Sequence, residues 1–330
     1  MSFFSAWKAW RRFKRLPPEW RNIVFYSESG QDWHQFAGLV EALNGPLDRK
    51  TTYVTSDNTD PGLSRRHANF RSLCIPEGLF RTIFFQVNAS DLFVLTMMDL
   101  ENLDLKRSLQ PVHYVYLFHS MGSTHMVDHE NSFDHYDTLF CAGPHQVREI
   151  RRREELAGLP EKDIFEYGHP RLEEVMAQGE AHGAPKSTGE PPVILVAPTW
   201  GETSIFNTCG KELMSVLLNA GYRVIMRPHY QSIRQSPEVI RALRAEFEEH
   251  ERFEYIGQQG ETESILRSNL LICDWSAMAL EYAMGLEKPV LFIDVPPRIR
   301  NPNWRDLGIE PIEITIREQL GEIVSPDHLE

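Results

Sequence analysis

Short apolar runs recur along the chain, and most are followed by a turn and then by apolar positions at helical spacing. In the first half such runs predict strands at Ile23–Ser27, Thr52–Thr55, Arg71–Ile75, Leu92–Thr96, Tyr114–Phe118, Thr138–Cys141 and Ile164–Tyr167. In the second half they predict strands at Val193–Val196, Tyr222–Met226, Phe253–Ile256, Leu270–Cys273, Val290–Ile293 and Ile312–Ile316. Helical segments are predicted at Trp33–Leu43, Gly210–Asn219 and Pro237–His250. Residues 269–294 show the pattern most plainly: Leu270–Cys273, a turn at Asp274-Trp275-Ser276, a helix from Ala277 that Gly285 is expected to end, and a second run from Val290. Two apolar runs joined by one helix cannot be a hairpin, so they predict parallel neighbours in a sheet covered on both faces.

This alternation predicts an α/β chain of two Rossmann-like, doubly wound domains facing a cleft. The turn-rich residues 184–192 are the expected linker, with residues 22–183 as the first domain and 193–330 as the second. Residues 1–21 are set apart as a basic amphipathic helix: Phe3, Trp7, Trp10 and Phe13 fall on one side, with Lys8, Arg11, Arg12 and Arg15 opposite. Such a helix suits an anionic membrane surface, reached through residues 2–16; packing its aromatic side chains on its own domain is the other reading. The expected location is therefore cytoplasmic, peripherally associated with the inner face of the cell membrane. No apolar run is long enough to cross a bilayer.

The chain has 330 residues and a formal net charge of −13, while its first 22 residues carry Lys8, Arg11, Arg12, Lys14, Arg15 and Arg21 against Glu19 alone. An acidic body disfavours a nucleic-acid partner, which demands a basic surface. Cys74, Cys141, Cys209 and Cys273 form no CxxC pair, and Cys141 and Cys273 read as buried thiols. Trp33, His34 and Asp57, at or beyond strand ends in the first domain, read as packing or surface residues.

Chemistry in parallel sheets gathers at the carboxyl ends of strands. Four such ends here carry unusual residues: His119-Ser120-Met121-Gly122-Ser123, Ala197-Pro198-Thr199-Trp200, Arg227-Pro228-His229 and Asp274-Trp275-Ser276. An arginine, two histidines and a helix start bearing a hydroxyl suit a dianionic or pyrophosphate group, with Ser276 also able to cap its helix. Each alone has an ordinary explanation: a strand-end histidine is commonly a satisfied structural group, and Arg227 could pair with a carboxylate. His125 and His129 have zinc-like spacing, but Met126 stands where a metalloprotease needs Glu. No Asp-x-Asp, P-loop or GxGxxG motif is present, so no tightly bound cofactor is expected, and any Mg2+ would arrive with a nucleotide.

In order and spacing, these segments, with Gly168-His-Pro-Arg171 and Lys288-Pro289, resemble the CDP-glycerol glycerophosphotransferase family, the teichoic-acid primase and polymerase group with its GT-B-like pair of domains. The resemblance implies that residues 22–183 form an acceptor domain and residues 193–330 a nucleotide-donor domain. It implies catalytic roles for His119, as the base on the acceptor hydroxyl, and for His229. Arg227, His229, Ser276, Thr199, Asp274 and Arg171 would face the donor phosphates, with Ser120, Gly122 and Ser123 on the acceptor side. Arg171 has an ion pair with Glu173 or Glu174 as its other reading. Two departures stand out: Ser120 and Met121 separate His119 from Gly122, and Ala277 replaces a second hydroxyl after Ser276.

The implied partners are a CDP-activated polyol donor and a glycan or lipid-linked acceptor, with glycerol phosphate transferred and CMP released. A GT-B glycosyltransferase using a sugar nucleotide and a non-catalytic nucleotide- or glycan-binding protein of the same fold are the alternatives. Such transferases also end in a longer helix, so the sequence reads as shortened at its C-terminus, with Leu329-Glu330 as a remnant.

Overall fold

The computed structural model describes residues 3–102, 105–183, 189–257 and 262–329. Residues 184–188 of the expected linker, Glu330, residues 1–2 and the side chain of Phe3 lie outside the described residues. By contacts the chain forms two compact units, Met1–Pro170 with Asn303–Leu307, and Arg171–Pro302 with Gly308–Glu330.

The first unit holds helices α1 (Phe3–Lys14), α2 (Trp33–Asn44), α3 (Leu79–Val87) and α4 (Pro144–Ala157) around strands β1 (Ile23–Ser27), β2 (Thr51–Thr55), β3 (Phe70–Cys74), β4 (Leu92–Leu95), β5 (His113–Leu117), β6 (Thr138–Cys141) and β7 (Asp163–Glu166). All pairings are parallel, in the order β3-β2-β1-β4-β5-β6-β7. The two-residue period of a strand places Val24 and Tyr26 in one core and Phe25 in the other, so both faces are covered.

The second unit takes in α5 (Pro170–His182), whose Val175 belongs to one of its cores, then β8 (Val193–Val196), α6 (Ile205–Thr208), α7 (Gly210–Asn219), β9 (Arg223–Met226), α8 (Tyr230–Gln235), α9 (Pro237–Phe247), β10 (Phe253–Tyr255), α10 (Glu263–Arg267), β11 (Leu270–Cys273), α11 (Met278–Leu286) and β12 (Val290–Ile293). It closes with α12 (Ile312–Thr315), α13 (Arg317–Leu320) and β13 (Gly321–Val324). Its sheet is again parallel, in the order β10-β9-β8-β11-β12-β13. Cys141 and Cys273 are fully buried.

Three expectations need correction. The alternating Ile312–Ile316 is not a strand: Pro311 opens a helical turn there, and the place beside β12 goes to Gly321–Val324. Only glycine fits at the start of that strand, because a Cβ on Gly321 would lie 1.8 Å from the carbonyl oxygen of Val290. Gly285 does not end α11, which runs to Leu286 with Glu287 at φ 53° as its C-cap. Gly285 instead admits α5 closely, since a Cβ there would meet Val175 at 2.9 Å. The apolar stripe of α1 is also partly taken up at home. Phe13 is buried edge-on against Phe84, with ring centroids 5.0 Å apart, and Trp10 packs near Phe80 at 6.3 Å. Phe4 and Trp7 remain outside, 76% and 39% exposed.

Candidate active site

In the second unit the chain reverses its winding at β8, which has β9 on one side and β11 on the other. Loops leaving strands at such a switch point diverge and make room for a ligand. The loops that meet here are Ala197–Ser204 after β8, Arg227–His229 after β9 and Asp274–Ser276 after β11.

His229 caps the short α8, its Nδ1 accepting the Gln231 amide at 3.1 Å. That bond fixes the tautomer: the proton of the neutral ring is on Nε2, which is a donor. Desolvation, then the guanidinium groups of Arg298 and Arg227, lower its pKa to about 4, so the ring is neutral at physiological pH. The Trp200 indole lies near-parallel to the imidazole, centroids 6.3 Å apart, and Arg298 sits 3.9 Å from the Trp200 ring. Arg227 is only 6% exposed and donates to Ser264 Oγ of α10 at 3.0 Å.

Asp274, expected at the donor phosphates, has no accessible surface. Its two carboxylate oxygens accept the backbone amides of Thr199 at 2.7 Å and Ile205 at 3.2 Å, so it fixes the loop that carries Thr199 and Trp200. Burial raises its pKa, with those backbone donors acting against the rise. Ser276 is half-buried and its hydroxyl accepts the Met278 amide at 3.4 Å, just ahead of the assigned cap Ala277. Thr199 is half-buried in the same group of loops. Arg171 is engaged by two carboxylates and a hydroxyl: it donates to Glu174 at 2.9 Å and to the Thr262 hydroxyl at 3.0 Å, with Glu281 at 3.7 Å. Its ion-pair reading therefore describes its surroundings, with Glu174 as the near partner.

In the first unit His119 follows β5, with its Nδ1 3.2 Å from the Tyr116 hydroxyl. Burial pushes that phenol well above its usual pKa, so it stays protonated. The tautomer that donates from Nδ1 to the phenol oxygen leaves Nε2 with its lone pair, as a base requires. His119 is solvent-exposed by area, yet enough protein surrounds the ring for desolvation to lower its pKa; Asp32 opposes that shift and His169 adds to it.

The turn after His119 is clamped by α4. Gln146 donates to the carbonyls of Ser120 and Gly122, both at 2.9 Å, and Glu149 accepts the amide and hydroxyl of Thr124 at 2.7 and 2.9 Å. Ser120 receives the Gly122 amide at 3.2 Å, while Ser123 is 3% exposed and lies inside the turn. His125 faces Glu149 at 3.4 Å. Among the described residues no group of three His, Cys, Asp or Glu side chains could hold a metal ion.

The sequence reading missed Asp32, His169 and Arg298. Asp32 had a legible signal, since Ser29-x-x-Asp32 is a capping box after the first strand and forms as one. His169 stands inside the Gly168-His-Pro-Arg171 motif.

The family model for CDP-glycerol:poly(glycerophosphate) glycerophosphotransferase matches residues 110–295. The chain belongs to this family. The match takes in His119, Arg227, His229 and Ser276, while Asp32 and Arg298 fall outside it. No curated protein is significantly similar to the chain. Among solved structures it resembles the UDP-GlcNAc 2-epimerase of Methanocaldococcus jannaschii in complex with UDP-GlcNAc and UDP (TM-score 0.56, 11% identity, 92% of this chain and 88% of that one). It also resembles the UDP-GlcNAc 2-epimerase of Neisseria meningitidis bound to UDP-GlcNAc (0.56, 11%, 82% of each chain). A third likeness is the UDP-forming α,α-trehalose-phosphate synthase of Burkholderia vietnamiensis (0.50, 10%, 94% and 88%). At these identities the likeness is one of fold: two Rossmann-like domains of the GT-B type.

Proposed function

We propose that this family member transfers a polyol phosphate, with glycerol phosphate as first choice, from a CDP-activated donor to a hydroxyl of a glycan or lipid-linked acceptor. His229 carries the reading: a neutral imidazole presenting Nε2–H beside two guanidinium groups, at a sheet's switch point, suits a diphosphate. The epimerases of the same fold bind UDP-GlcNAc or UDP, which supports a nucleoside diphosphate in this second domain. His119 takes the proton of the acceptor hydroxyl as its oxygen bonds to the polyol-bearing phosphorus. The bond from that phosphorus to the bridging oxygen breaks, and CMP leaves with the electron pair, stabilised by His229, Arg298, Arg227 and the amides beside Ser276.

Released CMP, measured with CDP-glycerol, CDP-ribitol and a panel of sugar nucleotides, tests the donor. Turnover of a UDP-sugar alone would move the chain to the glycosyltransferase reading, which the UDP-sugar-binding neighbours favour. CDP binding without turnover on any acceptor would favour a binding protein. His119→Ala is expected to lower transfer by about 10²–10⁴-fold while CDP still binds; unchanged turnover removes His119 from the mechanism.

A further inference from the structure

A groove of about 1020 Å³ runs along the edge of the first sheet, between α1 and the segment from Leu63 to Cys74 that contains β3. Its walls bring together Lys8 and Arg12, one helical turn apart on α1, with Arg65, Arg66 and Arg71, and no carboxylate lines it. Among the described residues none of these five cations is in an ion pair. Arg65 also keeps a buried Nε without a hydrogen-bond partner among the described residues. Arg71 lies over the Trp20 ring at 4.1 Å, Arg65 over Phe70 at 5.6 Å, and Arg66 donates to the carbonyls of Leu63 and Arg65, but five cations without a carboxylate partner among the described residues are a concentrated exception in a chain with net charge −13.

We propose that this groove binds an anionic phosphodiester polymer, the acceptor or product chain of the transfer reaction, an assignment that rests on the function proposed above. A single phosphate would leave most of the groove empty, since pockets of about 300–1,000 Å³ hold whole small ligands. The cations come from two elements, α1 and the segment that contains β3, and a lining spread along both suits an extended chain rather than one phosphate. Burial of Phe13 and Trp10's packing against Phe80 leave α1 without the continuous apolar stripe that bilayer insertion requires. The groove and His119 lie at β3 and β5 of one sheet, separated by β2, β1 and β4. At strand spacings of about 4.8 Å that is roughly 19 Å, so several repeat units separate the held part of the polymer from its reacting end.

The test titrates the full chain with a fluorescent polyol-phosphate oligomer, and separately with phosphatidylglycerol vesicles. The variant is Lys8→Glu/Arg12→Glu/Arg66→Glu, with the corresponding three Gln substitutions as a milder version. The wild type is expected to bind the oligomer with an affinity that falls as salt is added, and the Glu variant to bind at least about tenfold more weakly. The Gln variant should fall between them, with thermal midpoint and CDP affinity unchanged in both. Equal oligomer binding by wild type and Glu variant, or none by the wild type, overturns the proposal. Vesicle binding that needs these residues, without oligomer binding, overturns it in favour of a membrane surface. The readout needs no turnover: groove-dependent oligomer binding by a chain inactive on CDP donors would sustain the site and sink the transfer reading.

Discussion

At the scale of single residues, His229 gives the sharpest handle. A ring held neutral with its Nε2–H outward gains a negative partner when a diphosphate binds, and its pKa must then rise. Titrating the His229 imidazole by NMR should show it near 4 in the free protein and shifted upward with CDP; an unmoved value would place the nucleotide elsewhere. The same depression has a stability consequence. Because the folded pKa lies below 6.5, the unfolded chain binds the proton first as pH falls. The contribution of His229 is thus full above pH 6.5 and is lost as pH drops toward 4. Arg227, His229 and Ser276 were legible because each sits in a short motif at a predicted strand end. Arg298 was not, because nothing local marks it; it reaches Trp200 only through the adjacency of loops that strand order creates.

Between elements, the Lys288 ammonium shows how support reaches a functional side chain that it never touches. It donates to the carbonyls of Ile265 at 3.0 Å, Ser268 at 2.7 Å and Leu266, closing the C-terminal end of α10. Burial lowers it to about 8, so it keeps its charge at neutral pH. Helix α10 carries Ser264, and Ser264 holds Arg227. Lys288→Met should therefore cost about 1–3 kcal/mol of stability by leaving buried carbonyls unpaired. It should also weaken CDP binding more than a substitution at exposed Lys211, with both effects read by thermal unfolding and calorimetry. Helix α1 carries a second prediction. Phe13→Ala should destabilise the first unit by about 3–5 kcal/mol, because it empties a core position rather than trimming an exposed anchor. A thermal midpoint unchanged by that substitution would return the helix to a detachable role. The sequence showed the helix and its two faces; amphipathicity alone does not name the surface that an apolar face will meet. The Ile312–Ile316 misreading has a similar origin, since five alternating residues satisfy a strand pattern while the sheet edge is filled by a glycine-led segment just beyond.

For the molecule as a whole, the fold was legible because parallel strands covered on both faces must be apolar along their length, and they stood out as runs separated by helical spacing. Composition gives an acidic chain, but only the packing of α1 along β3 gathers Lys8 and Arg12 with Arg65, Arg66 and Arg71 into one groove. One feature of the chain path was invisible in the pattern: the first unit is not continuous, since Asn303–Leu307 packs within it. Trp304 is 5% exposed there, its ring 6.4 Å from His125, and the Leu307 carbonyl accepts from Arg152 of α4. The α4 helix also clamps the turn after His119. During synthesis, then, the first unit cannot be finished when Pro170 emerges. It must wait for Asn303–Leu307, a delay of roughly seven to thirty seconds at ordinary rates of about 5–20 residues per second. Until then the seat of Trp304 stands open, and the nascent chain passes through a stage in which its first half is assembled but not closed.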